Sequence, residues 1–318
     1  MNNANAQKLH LPAKRKNRII RESMLDRVFL IFVYGLLTIL GLIFAVPLLN
    51  VIACSFSSSV AISSYQVYIW PVGFNLRGYQ EMFKIYELWM GYGNSLFYTV
   101  AGTAINLAVT ILCAYPLSNT KLDGRKGIMA IYTFTMFFSG GLIPSYLVVR
   151  TLGMLNTRWA MIIPGAMSVY NMIIMRTFFM SSVPGELKEA AEIDGANDLQ
   201  QLVRVVLPLS MPVIAVLGLY YAVGHWNSYF SGLIYLNDYT KYPLQLILRE
   251  YLLSDRKLDE ILSGGSAVYR ADGLAEMMGL REILKYSIII IATLPMIILY
   301  PFIQRYFVQG VMVGSLKG

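Results

Sequence analysis

Three stretches of this 318-residue chain, Ser95–Ser118, Ile128–Val149 and Trp159–Met175, contain no charged side chain. In lipid, a run of about twenty uncharged, mostly apolar residues can satisfy its backbone only as a helix. All three are long enough to cross, the last only marginally. The same reading gives a first span from about Val28 to Cys54, a fifth over Pro212–Leu236 and a sixth over Tyr286–Gln304. With 56% hydrophobic and 14% charged residues, the composition is too apolar for a soluble domain of this length. The expected fold class is all-α membrane, with six transmembrane helices in a lipid bilayer.

The charged residues orient these spans. Lys14, Arg15, Lys16, Arg18 and Arg21 crowd the first 27 residues, and the apolar run behind them is too long for a signal-peptide core. This segment reads as a cytoplasmic basic tail, with the membrane domain over 28–318. The turn Lys121–Lys126 is basic and should also be cytoplasmic, whereas Arg150–Arg158 should be external. Arg305 and Lys317 flank a short C-terminal tail, so both termini are placed on the cytoplasmic side. Phe56–Gly93 reads as an external segment with an interfacial helix, because Val60–Val72 is too short to cross and is broken by Ser63, Ser64, Gln66 and Pro71. Residues 237–285 form a long external loop, nearly balanced in charge and broken at Gly264–Gly265. The net charge of +8 lies beside the spans, where cytoplasmic loops normally carry it, which argues against nucleic acid. Cys54 and Cys113 lie in apolar runs and offer neither a disulfide framework nor a metal quartet.

Between spans four and five, 183–210 reads as soluble helical structure. Pro184 suits a first helical position, Glu186 and Glu189 favour the positive end, and Gly195 suits the left-handed residue that stops a helix of about three turns. Leu187, Ala190, Ala191 and Asp194 share one face, which the two alanines make shallow. Asn197 can cap a second short helix, with Gln200 three residues on and an apolar face of Leu199, Leu202, Val203 and Val206 before Leu207 and Pro208.

Glu189-Ala190-Ala191, three residues, Gly195, nine residues, Val205, one residue and Leu207-Pro208 resemble the EAA loop of bacterial ABC-importer permeases, with Val205 where that pattern usually has isoleucine. Asp194-Gly195-Ala196, Pro208 to Pro212 and Trp226-Asn227 are similar to the carbohydrate (maltose-type) branch. Phe138 to Pro144, Asn156, Tyr242-Pro243-Leu244-Gln245 and the ending from Arg305 look like its complex-oligosaccharide subgroup. The resemblance runs from about Leu25 onward. It implies a permease subunit of a binding-protein-dependent importer in a bacterial inner membrane, partnered by a second homologous permease, two ATPase subunits and an extracytoplasmic solute-binding protein. It also implies ATPase coupling through Glu189, Ala190, Ala191, Asp194, Gly195, Leu207 and Pro208, with ATP and Mg held on the partner ATPase subunits and no cofactor on this chain.

The alternatives are an intramembrane enzyme and a self-sufficient carrier or channel. His10 and His225 are the only histidines, no carboxylate lies in spans two to six, and there is no glycine-flanked nucleophile turn or phosphate-binding loop. The spans also lack the ionisable relay residues that a self-driven carrier places near mid-membrane. For a sugar path, uncharged polar and aromatic groups are wanted: Asn171 on span four and Tyr220, His225, Trp226 and Asn227 on span five are the candidates. Packing and interface roles compete for each of them. Tyr220, Gly224 and Asn227 share a helical face that Trp226 does not, so not all can line one cavity.

Overall fold

The computed structural model describes residues 23–253, 279–298 and 300–301. The basic tail, the Gly264–Gly265 break and the ending from Arg305 lie outside the described residues. Residues 1–49 and 50–318 form two separate compact units. Every regular element among the described residues is helical.

Helix α1 (Met24–Ser55) is one uninterrupted apolar rod. After it come the short α2 (Ser59–Ser63) and α3 (Arg77–Phe83), the latter within the stretch expected to hold an interfacial helix. Helix α4 (Tyr86–Ser118) starts nine residues before the uncharged run that announced it, because Ile85 and Leu88 are buried and extend its packed face. Along α4, Asn94, Tyr98, Gly102, Asn106, Thr110 and Ala114 recur every four residues and are all buried. Its interior face is small and polar, while Leu96, Val100 and Leu112 point outward. This inversion suits a helix in lipid, where small residues let backbones approach and polar groups bind across helices.

The runs expected as spans three and four are not single rods. The third breaks into α5 (Arg125–Phe137) and α6 (Leu142–Thr151), bent by 113° at Ser139-Gly140-Gly141. The fourth begins with 3₁₀ turns at Arg158–Met161 and Ile163–Gly165, bends by 53°, and continues as α7 (Val169–Ser182), seven residues beyond the expected end. Helix α8 (Gly185–Ile193), α9 (Asp198–Gln201), a widened π turn at Leu202–Val206 and α10 (Leu207–Leu209) form the next connection. The chain turns by 84° into α11 (Met211–Trp226), which ends ten residues short of the expected fifth span and is followed by α12 (Tyr229–Tyr235).

Part of the stretch expected as an external loop forms a packed helix. In α13 (Leu244–Leu253), Leu244, Leu246 and Ile247 are almost wholly buried, and Leu244 and Ile247 share a cluster with Met82, Leu88, Trp226 and Ile288. The described residues 279–298 are helical as well (α14) and include the start of the expected sixth span at Tyr286. Two helices are each long and apolar enough to cross a bilayer alone, and the bent pairs raise the number to as many as five among the described residues.

Candidate functional site

The connection from Pro184 to Ser210 is stabilised by its own neighbours. Pro184 sits at the cap of α8 rather than inside it, with extended backbone, so the helix starts one residue later than expected. At the other end Ala196 N–H donates to the Ala191 carbonyl at 2.9 Å and Gly195 N–H to the Glu192 carbonyl at 3.1 Å. These two bonds form a Schellman motif around Gly195, whose φ of +77° is readily adopted only by glycine. A capping box follows: Gln200 N–H donates to Asn197 Oδ1 at 2.9 Å, and Asn197 N–H to Gln200 Oε1 at 3.1 Å.

Leu187, Ala190 and Asp194 are exposed and Ala191 is half-buried, so the shallow face of α8 is open. Ile193 is 86% exposed and Leu199 65%. The expected apolar face of the second helix divides: Leu202 and Val206 turn into a cluster with Met175, Phe179 and Leu217, whereas Leu199 and Val203 stay outside. Four-residue α9 passes into the π turn, and the wider turn rotates later side chains away from regular helical register. Leu207 is partly buried against this cluster and Pro208 is exposed. Glu189, Glu192 and Asp198 line a cavity of about 570 Å³ with Lys121 and Tyr115.

The second region centres on the end of α11. Trp226 is buried and its Nε1–H donates to the Ala292 carbonyl at 3.1 Å; the ring meets Tyr92 edge-on. Asn227 closes α11, its Nδ2 donating to the Val223 carbonyl at 3.0 Å. Both residues line a cavity of about 950 Å³ with Tyr229, Gln245, Arg249 and Thr293. Tyr220 does not line it. The candidates therefore do not all meet in one cavity; Trp226 is the last residue of α11 and Asn227 caps it, where the backbone leaves helical conformation and lets both reach the same wall. Among the described residues Arg249 is the charged one on this cavity wall, its guanidinium carbon 5.7 Å from the Tyr229 ring centre.

His225 and Asn171 belong elsewhere. His225 Nε2 lies 3.1 Å from Asn106 Oδ1, and the ring rests on Gly102, where any Cβ would collide with it. Asn171 is buried in the first turn of α7. Among the described residues no three His, Cys, Asp or Glu side chains gather in a metal-holding group.

The sequence reading missed what surrounds these residues. Asn106 Nδ2 donates to the Gly165 carbonyl at 2.7 Å, and the Tyr221 hydroxyl accepts from Ser168 N–H at 3.2 Å while bonding Thr110 Oγ1 at 2.8 Å. Together they satisfy the broken backbone between the 3₁₀ turns and α7. Further along α4, Asn94 donates to the Thr240 and Tyr242 carbonyls, Tyr98 to the Lys241 carbonyl, and Ser95 Oγ accepts from Leu244 N–H. Irregular backbone persists in an apolar setting only when it is paired in this way. The repeat of polar and small residues every four positions along α4 was the available signal.

Comparison with known proteins agrees with this architecture. A family model described as binding-protein-dependent transport system inner membrane component matches residues 19–313. The polygalacturonan/rhamnogalacturonan transport system permease protein YtcP of Bacillus subtilis (strain 168) is 39% identical over 295 residues, 93% of this chain and 100% of that protein. Protein LplC of the same strain is 41% identical over 278 residues, 87% of this chain and 91% of that one. Among solved structures, a chain of a bacterial ABC transporter involved in the import of the acidic polysaccharide alginate superposes with a TM-score of 0.79 at 33% identity, covering 90% of this chain and 99% of that chain. This chain therefore belongs to the family of binding-protein-dependent transport system inner membrane components.

Proposed function

We propose that this chain is one of two permease subunits of an ABC importer that brings an oligosaccharide into a bacterial cell through the inner membrane. In this reading the chain crosses six times with both termini cytoplasmic, and α8 is the coupling helix gripped by an ATPase subunit. ATP and Mg are used on two such subunits, and a binding protein delivers the sugar from outside. The observation that carries the reading is the self-capped loop whose open face includes Leu187, Ala190 and Ile193. Apolar side chains left open on a rigid, locally satisfied element are what a partner's groove needs.

The cavity beside Trp226 suits part of the sugar path. Tyr229 offers a ring, Asn227 and Gln245 offer amides, and Arg249 offers a carboxylate-pairing fork, with the buried Trp226 forming part of the wall behind them. We read the substrate as an acidic oligosaccharide, in keeping with the acidic polysaccharide named for the solved transporter above. The two transport states must differ in affinity for ATP and for the loaded binding protein, since equal affinity would shift nothing.

The test is reconstitution with the partner subunits, measuring uptake and binding-protein-stimulated ATP hydrolysis with neutral and acidic oligosaccharides. Acidic oligomers should be imported preferentially, and Arg249→Gln should narrow that preference. Gly195→Val and Ala191→Trp should assemble yet lose both uptake and stimulation. Normal activity in both coupling variants would overturn the docking assignment, and equal uptake of neutral and acidic sugars would overturn the substrate class.

A further inference from the structure

Pro295 stands midway along the expected sixth span, inside α14. A helical proline has no N–H to give the carbonyl one turn back, and its ring crowds that carbonyl. The carbonyl so deprived is that of Ile291. Tyr92 on α4 supplies a donor in its place: its hydroxyl donates to the Ile291 carbonyl at 3.1 Å. Trp226, at the end of α11, donates Nε1–H to the next carbonyl, that of Ala292, also at 3.1 Å. The two rings meet edge-on with centroids 5.5 Å apart, which aims both donors at adjacent carbonyls. Thr293 Oγ1 lies 2.9 Å from the Ile289 carbonyl and 3.2 Å from that of Ile290. Four consecutive carbonyls, Ile289 to Ala292, are thus each within reach of a side-chain donor.

We infer that this turn is a hinge in the last helix, and that Tyr92 and Trp226 are positioning residues that set its bend. Bending a helix in an apolar setting strands carbonyls, and that cost normally keeps a span straight. Here the groups that bending would strand are already met by side chains from α4, α11 and α14 itself. Proline and threonine back-bonding are also the usual causes of a bend in a long helix. The hinge lies on the wall of the cavity beside Asn227: Ile288, Ala292 and Thr293 line it before Pro295, and Met296 and Tyr300 line it after. A change of bend at Pro295 therefore changes the width of that cavity. Tyr92 and Trp226 hold the bend from two different helices, so a shift of α11 against α4 is passed to α14. That the cavity carries sugar rests on the transport reading above; the bonding of the turn does not.

The test is a set of variants of the complete transporter complex, read by thermal unfolding and by uptake. Tyr92→Phe keeps the ring and removes the donor, so melting should fall by about 2 °C and uptake should fall with it. Pro295→Ala restores the backbone donor to the Ile291 carbonyl. It should raise the melting temperature, lose most uptake because the helix stiffens, and make an added Tyr92→Phe nearly silent in melting. Pro295→Gly restores the same N–H but leaves the backbone free, so it should keep the uptake that Pro295→Ala loses. A purely structural role would move melting and uptake in the same direction in every variant. Full uptake in Pro295→Ala, or an equal loss in Pro295→Gly, would overturn the hinge. An equal melting penalty for Tyr92→Phe with and without Pro295→Ala would overturn Tyr92 as the replacement donor. If Pro295→Ala does not assemble, Pro295→Gly with and without Tyr92→Phe decides both points: lost uptake overturns the hinge, and an undiminished penalty overturns the donor. A parent complex that takes up no sugar would refute the transport reading, while the melting comparison would still decide what Tyr92 does.

Discussion

The loop at 183–210 and the buried face of α4 both satisfy backbone groups that regular helices leave unpaired, and they do it at opposite ranges. In the loop, donors and acceptors lie within five positions of one another, as between Ala196 and Ala191 or Asn197 and Gln200. On α4, Asn106 reaches 59 positions to Gly165 and Ser95 is reached from 149 positions away by Leu244. Locally closed bonds travel with their element, so the loop can shift as a body without breaking any of them. Long-range bonds lock α4 to the segments it meets. The contrast separates a part whose bonds close within itself from a frame whose bonds cross between elements.

The largest test of that contrast is Gly102→Leu. Its side chain would enter the space held by the His225 ring and force α4 from α11, at a cost of about 3 kcal/mol. Thermal unfolding of the complex should fall sharply, and an unchanged melting temperature would mean that α4 is not part of a rigid frame. Tyr221→Phe should cost less, on the order of 1–3 kcal/mol, by removing the acceptor for Ser168 N–H and the partner of Thr110. Hydrogen exchange at Ser168 should rise with it. Asn197→Ala should cost about 1 kcal/mol and act inside the loop alone. Its signature is faster exchange at Gln200 with none at Ser168; exchange rising at both would erase the distinction between the two regions.

The smallest effect concerns pH. Asp238 is held down to about 2 by a hydrogen bond from Lys241, with Thr240 donating from both hydroxyl and backbone. A depressed carboxylate stabilises the fold above its ordinary value and loses that contribution as pH falls through the ordinary range toward about 2. Since Asp238 lies at the surface, the change should be slight, visible as a weak acid-side decline in melting temperature that Asp238→Asn abolishes. A decline of equal size in Asp238→Asn would assign it to another group.

Legibility followed the same division. The turn at Gly195 and the Asn197–Gln200 box could be read from the chain because the chemistry that makes them is complete within a few residues. The breaks in spans three and four could not, since each lies in a continuous uncharged run and hydropathy does not register a bend. Helix α13 was hidden for the opposite reason: Arg249 and Glu250 interrupt its apolar pattern, so it fails as a lipid-facing span, yet Leu244, Ile247 and Tyr251 are buried against protein. Trp226 and Asn227 were found by residue type, but their shared cavity depends on where α11 ends. Arg249 was invisible as a cavity residue while its segment was read as an external loop.

The 84° corner between α10 and α11 has a geometric consequence. Ser210 at that corner is fully buried, and α11 continues from it for 16 residues, about 24 Å at 1.5 Å per residue. The far end of that rod is tied to the frame, His225 by Asn106 of α4 and Trp226 by the Ala292 carbonyl, while its root leaves the self-capped loop. A tilt of about 10° about Ser210 would carry the tip about 4 Å by that same length, so the corner can turn only if those two contacts yield or the frame moves with it.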